Sequence, residues 1–132
     1  MKDLIVVSGK RKRSIARATL KPGKGVVRIN KLLLENVKPK LAREKIKEVL
    51  AIVDDTKNKF DIDVAVKGGG IISQASAISL AIGRAISQAH PELKEQILRY
   101  DRQFLVADVR RKETRKPNRH GKARSKTQKS YR

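Results

Sequence analysis

At 132 residues the chain has room for one modest hydrophobic core and not for two ordinary domains. Its 33 Lys/Arg against 13 Asp/Glu leave a formal net charge of +20, which points to a polyanionic partner, nucleic acid ahead of an anionic membrane. With no cysteine the composition excludes a disulfide framework and cysteine zinc sites, and two Phe, two Tyr and no Trp argue against an aromatic base-stacking platform.

Phosphate contact and shape are then what the protein has to recognise with. No stretch approaches the roughly 18 apolar residues of a membrane-spanning helix. The apolar start, Leu4–Val7, is too short for a signal-peptide core and runs into a basic loop. A reduced, intracellular setting is expected.

In chain order, Leu4–Ser8 reads as a short apolar strand, Ile15–Leu20 as a second and Val26–Ile29 as a third. Gly9 to Arg13 separates the first two, and Lys21-Pro22-Gly23-Lys24-Gly25 the next two. Both separators have turn chemistry, so a three-strand antiparallel meander is expected. Pro39 suits a helix start, because its missing N–H would be unpaired there anyway. Ala42, Ile46, Val49/Leu50 and Val53 follow at helical spacing. Phe60, Ile62, Val64 and Val66 alternate with Asp61, Asp63, Ala65 and Lys67, which is a strand with one buried face. After Gly68-Gly69-Gly70, the residues Ile71, Ala75, Ile78, Ile82, Ala85/Ile86 and Ala89 mark a long helix rich in small residues. Pro91 ends it and opens another, with Glu92 and Glu95 in a favourable first turn and Leu93, Ile97 and Tyr100 along one face. The expected fold class is α+β, a four-stranded sheet with helices on one face, plus an extended basic C-terminal tail.

Charge divides the chain. Residues 1–28 hold nine Lys/Arg and one acid, and residues 108–132 hold eleven Lys/Arg and two acids, whereas the centre is nearly balanced. The organisation this predicts is a globular body at 1–103, then a connector and RNA-threading tail at 104–132. From Arg110 onward there is no Ile, Leu, Val, Phe or Met. Such a tail cannot bury enough apolar surface to offset its ordering entropy, so by itself it should be disordered and should order along RNA phosphates.

The candidate RNA-binding residues follow from this map. Lys10, Arg11, Lys12 and Arg13 crowd four bases into a hairpin connection, where alternation can aim neighbours at different strands of an RNA. Arg17 and Lys24 extend that set. Gly9-Lys10 is not a Walker loop, since the earlier glycine and the following Ser/Thr are missing. Gly68, Gly69 and Gly70 precede a helix N-terminus, which either brings backbone N–H groups to a phosphate or makes a tight packing turn. Ser73 and Gln74 sit in the first turn, where they could cap the helix or touch RNA. The tail contributes Arg110, Arg111, Arg115, Lys116, Arg119, Lys122, Arg124 and Lys126.

Catalysis finds little footing. His90 and His120 have no nucleophile or carboxylate at a recognisable spacing, and the Asp54-Asp55 and Asp61/Asp63 pairs lack the surroundings of a calcium loop. The pairs read as a solvated loop and the outer face of a strand. No cofactor or metal is expected.

Gly9-Lys10-Arg11-Lys12, Ile15-Ala16-Arg17-Ala18, Pro22-Gly23-Lys24-Gly25 and Ile29-Asn30 resemble the opening of the small-subunit ribosomal protein nine family. Gly68-Gly69-Gly70, Ser73-Gln74, Ala77, Ala81 and Gly83-Arg84-Ala85-Ile86 resemble its central signature, and Asp108, Arg110, Arg111 and Glu113 its connector. The ending Gln128-Lys129-Ser130-Tyr131-Arg132 is similar to archaeal and eukaryotic members. Arg13-Ser14 departs from the common Thr/Ser-Ala and adds one base to the loop.

The resemblance implies a fold like the second domain of ribosomal protein five, with a left-handed β-α-β crossover. It implies a structural constituent of the small ribosomal subunit in the cytoplasm, bound to the 3′ major domain of the rRNA in the head, with no membrane partner. Proteins ten and fourteen, and as a further candidate seven, would be neighbours. The tail end, Lys129, Tyr131 and Arg132, would reach the anticodon stem-loop of the peptidyl-site tRNA. Two other readings are carried beside it. A small-molecule kinase shares the implied fold, but this chain is short and lacks a serine-rich phosphate loop. A chromatin-type DNA-binding protein is separated only by preference for duplex DNA over folded rRNA.

Overall fold

A computed structural model describes residues 4–54 and 58–131. Asp55, one of the acids read as a solvated loop, lies outside them. The first strand, β1 (Ile5–Arg11), and the second, β2 (Ser14–Pro22), pair antiparallel from Ile5 opposite Leu20 to Arg11 opposite Ser14. Strand pairing therefore runs on through Gly9-Lys10-Arg11, and the turn shrinks to Lys12-Arg13. A two-residue hairpin demands positive φ, which Lys12 supplies at 52°.

Gly9 is in the strand because of what lies above it. A Cβ at Gly9 would stand 2.3 Å from the Ala77 carbonyl oxygen and 2.8 Å from the Ala81 nitrogen. Sheet and helix backbones touch there, and only glycine below and alanine above allow it.

The expected meander does not form. The sheet has five strands in the order β1-β2-β5-β3-β4, where β3 is Val27–Ile29, β4 is Leu32–Leu33 and β5 is Phe60–Lys67. β5 inserts between β2 and β3, antiparallel to the first and parallel to the second. The two-residue β4, paired with β3, is the strand beyond the expected four.

The separator after β2 is what carries the chain across the end of β5. Gly23 N–H donates to the Lys59 carbonyl at 3.0 Å, and one Asp61 oxygen accepts from the N–H groups of Lys24 and Val26, each at 2.9 Å. Those donors, Val26 first and Lys24 next, hold the Asp61 carboxyl below its ordinary range. Asp61 braces a loop, whereas alternation suggested a merely solvated side chain. On the far side Asn30 prolongs the ladder. Its side-chain amide accepts from Val66 N–H at 2.9 Å and donates to the Val66 carbonyl at 3.2 Å, as a peptide group would.

One sheet face is apolar: Ile5, Ala16, Ala18, Leu20, Ile29, Phe60, Ile62 and Val64 are all buried. Helix α1 (Lys40–Ile52) follows Pro39, which stands just before its first residue, and buries Ala42, Ile46, Val49 and Leu50; Val53 is buried just beyond it. Helix α2 (Ile71–Ala89) buries Ala75, Ile78, Ile82, Ala85 and Ile86 as its spacing predicts. Ile71 does not follow. It is 57 % exposed, because the first turn of α2 projects beyond the layer it packs on.

In mid-helix, from Ala77 to Gly83, burial runs all the way round, as expected of a helix enclosed by other elements. The sheet lies on one side of it and α1 is tied to it where the Ser79 hydroxyl donates to the Lys45 carbonyl at 3.1 Å. A Cβ at Gly83 would lie 2.4 Å from the Phe104 carbonyl oxygen. A third helix, α3 (Lys94–Tyr100), follows a 3-10 turn at Pro91–Leu93 and buries Ile97. Tyr100 is exposed, with its hydroxyl donating to Glu48 at 3.0 Å and its ring stacked on Phe104. Phe104 is 3 % exposed, so the core reaches one residue past the expected boundary at 103.

The result is mixed α+β, with a five-stranded sheet and, among the described residues, three α-helices. The other sheet face, with Val6, Arg17, Thr19, Arg28, Asp63 and Ala65, is open to solvent.

Candidate nucleic-acid interface

The hairpin end of the sheet gathers most of the basic residues singled out in the body. Strand alternation sorts them by face. Lys10, paired with Ile15, and Arg17, paired with Ser8, lie on the open face. Lys67, also opposite Ile15, joins them there. Lys12 and Arg13 are exposed at the turn itself.

Arg11 points to the helix side and has a partner. Its guanidinium lies 3.2 Å from the Asp108 carboxylate and donates to the Arg110 carbonyl at 3.3 Å, with 22 % of the side chain exposed. Asp108 also accepts from the Arg110 backbone N–H at 2.9 Å and from its guanidinium at 2.7 Å. These bonds, the Arg110 side chain first and its backbone second, with Arg11 adding attraction, hold the Asp108 carboxyl well below the usual carboxylate range. The tail thus leaves the body beside the hairpin turn, through a carboxylate shared by two arginines.

Upstream of that clip, Arg84 on α2 donates to the Leu105 carbonyl at 2.9 Å and to the Ser8 carbonyl at 3.1 Å. With Gly83 beneath Phe104, this fixes the connector against β1 and α2.

The glycine turn sits at the same end. Gly68 and Gly69 have φ of 78° and 68°, which side chains rarely adopt. A Cβ on Gly69 would also strike the Ser14 hydroxyl at 2.1 Å. Buried Ser14 donates to the Gly68 carbonyl at 2.9 Å and Gln74 donates to the same oxygen at 3.1 Å. Gly68, Gly69 and Gln74 therefore shape the turn. Gly70 differs: it precedes α2 and nothing stands within 4 Å of where its Cβ would be. The helix has no side-chain cap, so its first N–H groups remain available at the basic end.

Hairpin turn, glycine turn, α2 N-terminus and tail root converge. Lys24 does not join them. It lies past the opposite end of β2, roughly 26 Å away along a nine-residue strand. Two bases of the open face, Lys21 and Arg28, are each 3.7 Å from Asp63 and partly neutralised.

In the tail, Arg111 is exposed, as are Arg115, Lys116, Arg119, Lys122, Lys126, Lys129 and Tyr131; Arg132 lies outside the described residues. Arg124 pairs with Glu113 through both carboxylate oxygens. The guanidinium of Arg124 holds Glu113 below its ordinary range.

Charge counting alone missed Lys67, whose place beside Lys10 depends on the β2–β5 register. It also missed Asp108 and Glu113 as braces. The local signal for Glu113 was an acid standing alone in a run of bases; Asp108, between Ala107 and Val109, gave none.

The chain matches the sequence model of the family described as Ribosomal protein S9/S16 over residues 9–132. It is 47 % identical over 127 residues to the small ribosomal subunit protein uS9 of Methanococcus maripaludis strain C7, covering 94 % of this chain and 95 % of that one. The uS9 protein of Methanococcus vannielii is 46 % identical over 127 residues, with the same coverage.

Proposed function

The chain belongs to the Ribosomal protein S9/S16 family, and from that premise we propose that its basic hairpin end and tail bind ribosomal RNA by phosphate contact. It is a structural, non-enzymatic constituent of the small subunit of the cytoplasmic ribosome. The observation that carries the RNA reading is the convergence at one end of the sheet. Lys10, Lys12, Arg13, Arg17 and Lys67 lie toward the same end of the sheet as an uncapped helix start and the root of a tail with eleven Lys/Arg from Arg110 onward. Arg11 and Arg110 have a different task in this reading: through Asp108 they aim the tail.

The bound RNA is the 3′ major domain of the small-subunit rRNA, in the head, with proteins ten and fourteen as neighbours and seven as a further candidate. The tail end reaches the anticodon stem-loop of the peptidyl-site tRNA, through Lys129, Tyr131 and Arg132 beyond the last turn of the tail. The parallel β3–α1–β5 connection is read as the left-handed crossover of the fold that ribosomal protein five's second domain has. The chromatin-type alternative draws no support from the family.

Binding of the full chain to a 3′ major domain transcript and to duplex DNA, followed from low to moderate salt, tests this. The transcript should be preferred, with log affinity falling by about 0.7–0.9 per neutralised phosphate for each decade of salt. A nearly flat salt response, or a preference for the duplex, would sink it.

A further inference from the structure

The tail is not extended throughout. Between residues 113 and 127 it closes on itself. Lys116 N–H donates to the Lys122 carbonyl at 3.0 Å, His120 N–H to the Ser125 carbonyl at 3.0 Å, and Thr127 N–H to the Asn118 carbonyl at 3.4 Å. Arg119 and Lys126 face each other in an isolated antiparallel bridge. Asn118 and Ser125 take left-handed conformations, with φ of 54° and 65°, where the chain reverses. At the base of the loop Arg124 Nε donates to Glu113 Oε2 at 2.8 Å, while its terminal nitrogen binds the other oxygen.

This loop has no apolar core. It carries six Lys/Arg and a single acid, Glu113, which is committed to Arg124. Arg115, Lys116, Arg119, Lys122 and Lys126 have no carboxylate in ion-pair range among the described residues. Gathering five like charges costs free energy that one exposed ion pair only partly offsets. The arrangement is favourable once a dense array of anions lies against it, and a phosphate backbone supplies one.

We propose that residues 113–127 form a preshaped phosphate-binding loop for folded RNA, in which Glu113 and Arg124 are positioning residues that close the loop. The inference rests on the RNA reading above. It changes the role of Arg124 from an RNA contact to a brace. It also gives the one acid in a basic loop a reason to be there, since a carboxylate near RNA otherwise only repels.

That contradiction supplies the test. Removing an acid from an RNA-binding loop should raise affinity if the acid is merely solvated. If Glu113 closes the loop, Glu113→Gln should instead lower the affinity of the full chain for the 3′ major domain transcript, by about twofold to fivefold at moderate salt. Arg124→Gln should cost at least as much, and adding Glu113→Gln to it should cost nothing further. The exchange Glu113→Arg with Arg124→Glu, which leaves net charge unchanged, should restore most of the affinity. Equal or tighter binding by Glu113→Gln, or additive losses in the double variant, overturns the loop proposal. Failure of the unmodified chain to bind the transcript overturns the RNA reading itself, so the two failures are told apart.

Discussion

The body and the tail are held together by opposite means. In the body, sheet and helices share apolar side chains, and where backbones approach most closely glycine and alanine take the contact, as at Gly9 beneath Ala77 and Ala81. Beyond Phe104 no helix or strand of the tail is present among the described residues. The shape of the tail rests on a few backbone hydrogen bonds and on two carboxylates, Asp108 and Glu113, each gripping arginine. Apolar burial is insensitive to salt and to moderate pH, while exposed ion pairs are screened by the one and titrated by the other. A single chain therefore has one part whose form does not hang on salt or moderate pH and one whose form depends on the charges around it.

Cutting the chain after Arg110 should separate the two most sharply. The cut leaves the Asp108 clip in place and removes ten Lys/Arg. Affinity for the rRNA transcript should fall by roughly a thousandfold or more at moderate salt, with a shallower salt slope. The thermal midpoint of the body should stay where it was. A midpoint that drops with the cut would mean the tail is part of the fold, and the comparison would fail.

The mirror experiment is Ile82→Ala. Ile82 is fully buried in α2, and its truncation should destabilise the body by about 2–5 kcal/mol. RNA binding well below the midpoint should be nearly unchanged, since no basic residue is touched. Chemical denaturation of the variant gives the first number, and an unaltered midpoint would refute the packing of α2.

How much of this could be read beforehand follows the same division. The faces of α1 and α2 were legible because helical spacing is local, and so was the alternation of β5. The sheet order was not. Nothing in β2 says that its partner is β5, some forty residues on, in place of β3 just after the turn; the brace found at that crossing, Asp61 on Lys24 and Val26, pairs residues 35 and more apart. Ile71 obeyed the spacing and is exposed, because periodicity does not show where a neighbouring layer stops. In the candidate site, Lys10, Lys12, Arg13 and Arg17 were legible as charge. The engagement of Arg11 and Arg110 was not, because it depends on Asp108 meeting Arg11 across ninety-seven positions. The glycine triplet admitted two uses. Gly68 and Gly69 answer to backbone geometry, and Gly70 is left with no steric reason of its own.

A smaller effect is expected from the last residues. Removing Lys129 to Arg132 should leave the body and its assembly into subunits intact. It should weaken peptidyl-site tRNA by about 1–2 kcal/mol, the worth of one or two charge-assisted contacts. Dissociation of tRNA from subunits carrying the shortened chain measures this. A rate equal to that of the full-length protein at physiological salt would leave the tail end a role in rRNA packing only.

The smallest effect is a pH response confined to the tail. Asp108 and Glu113 both have carboxyls held below their ordinary range, Asp108 the more strongly, by Arg110 and Arg11, and Glu113 by Arg124 with a smaller attraction from Lys116. A depressed carboxyl stabilises the closed form fully above its unperturbed pKa, near 4 for either residue. That contribution is lost as pH falls through the lowered value. Between about pH 5 and 8 neither clip should change. On further acidification the Glu113–Arg124 loop should open first and the Asp108 clip later. The guanidinium Nε–H resonances of Arg124 and Arg110, followed in the full chain at low salt, report each clip separately. Amides of α2 serve as the control, since no titrating group lies in that helix's buried stretch. Arg124 should shift toward a free arginine at higher pH than Arg110 does. If both move together near pH 4, the carboxylates are ordinary surface acids, and the tail takes its shape from RNA alone.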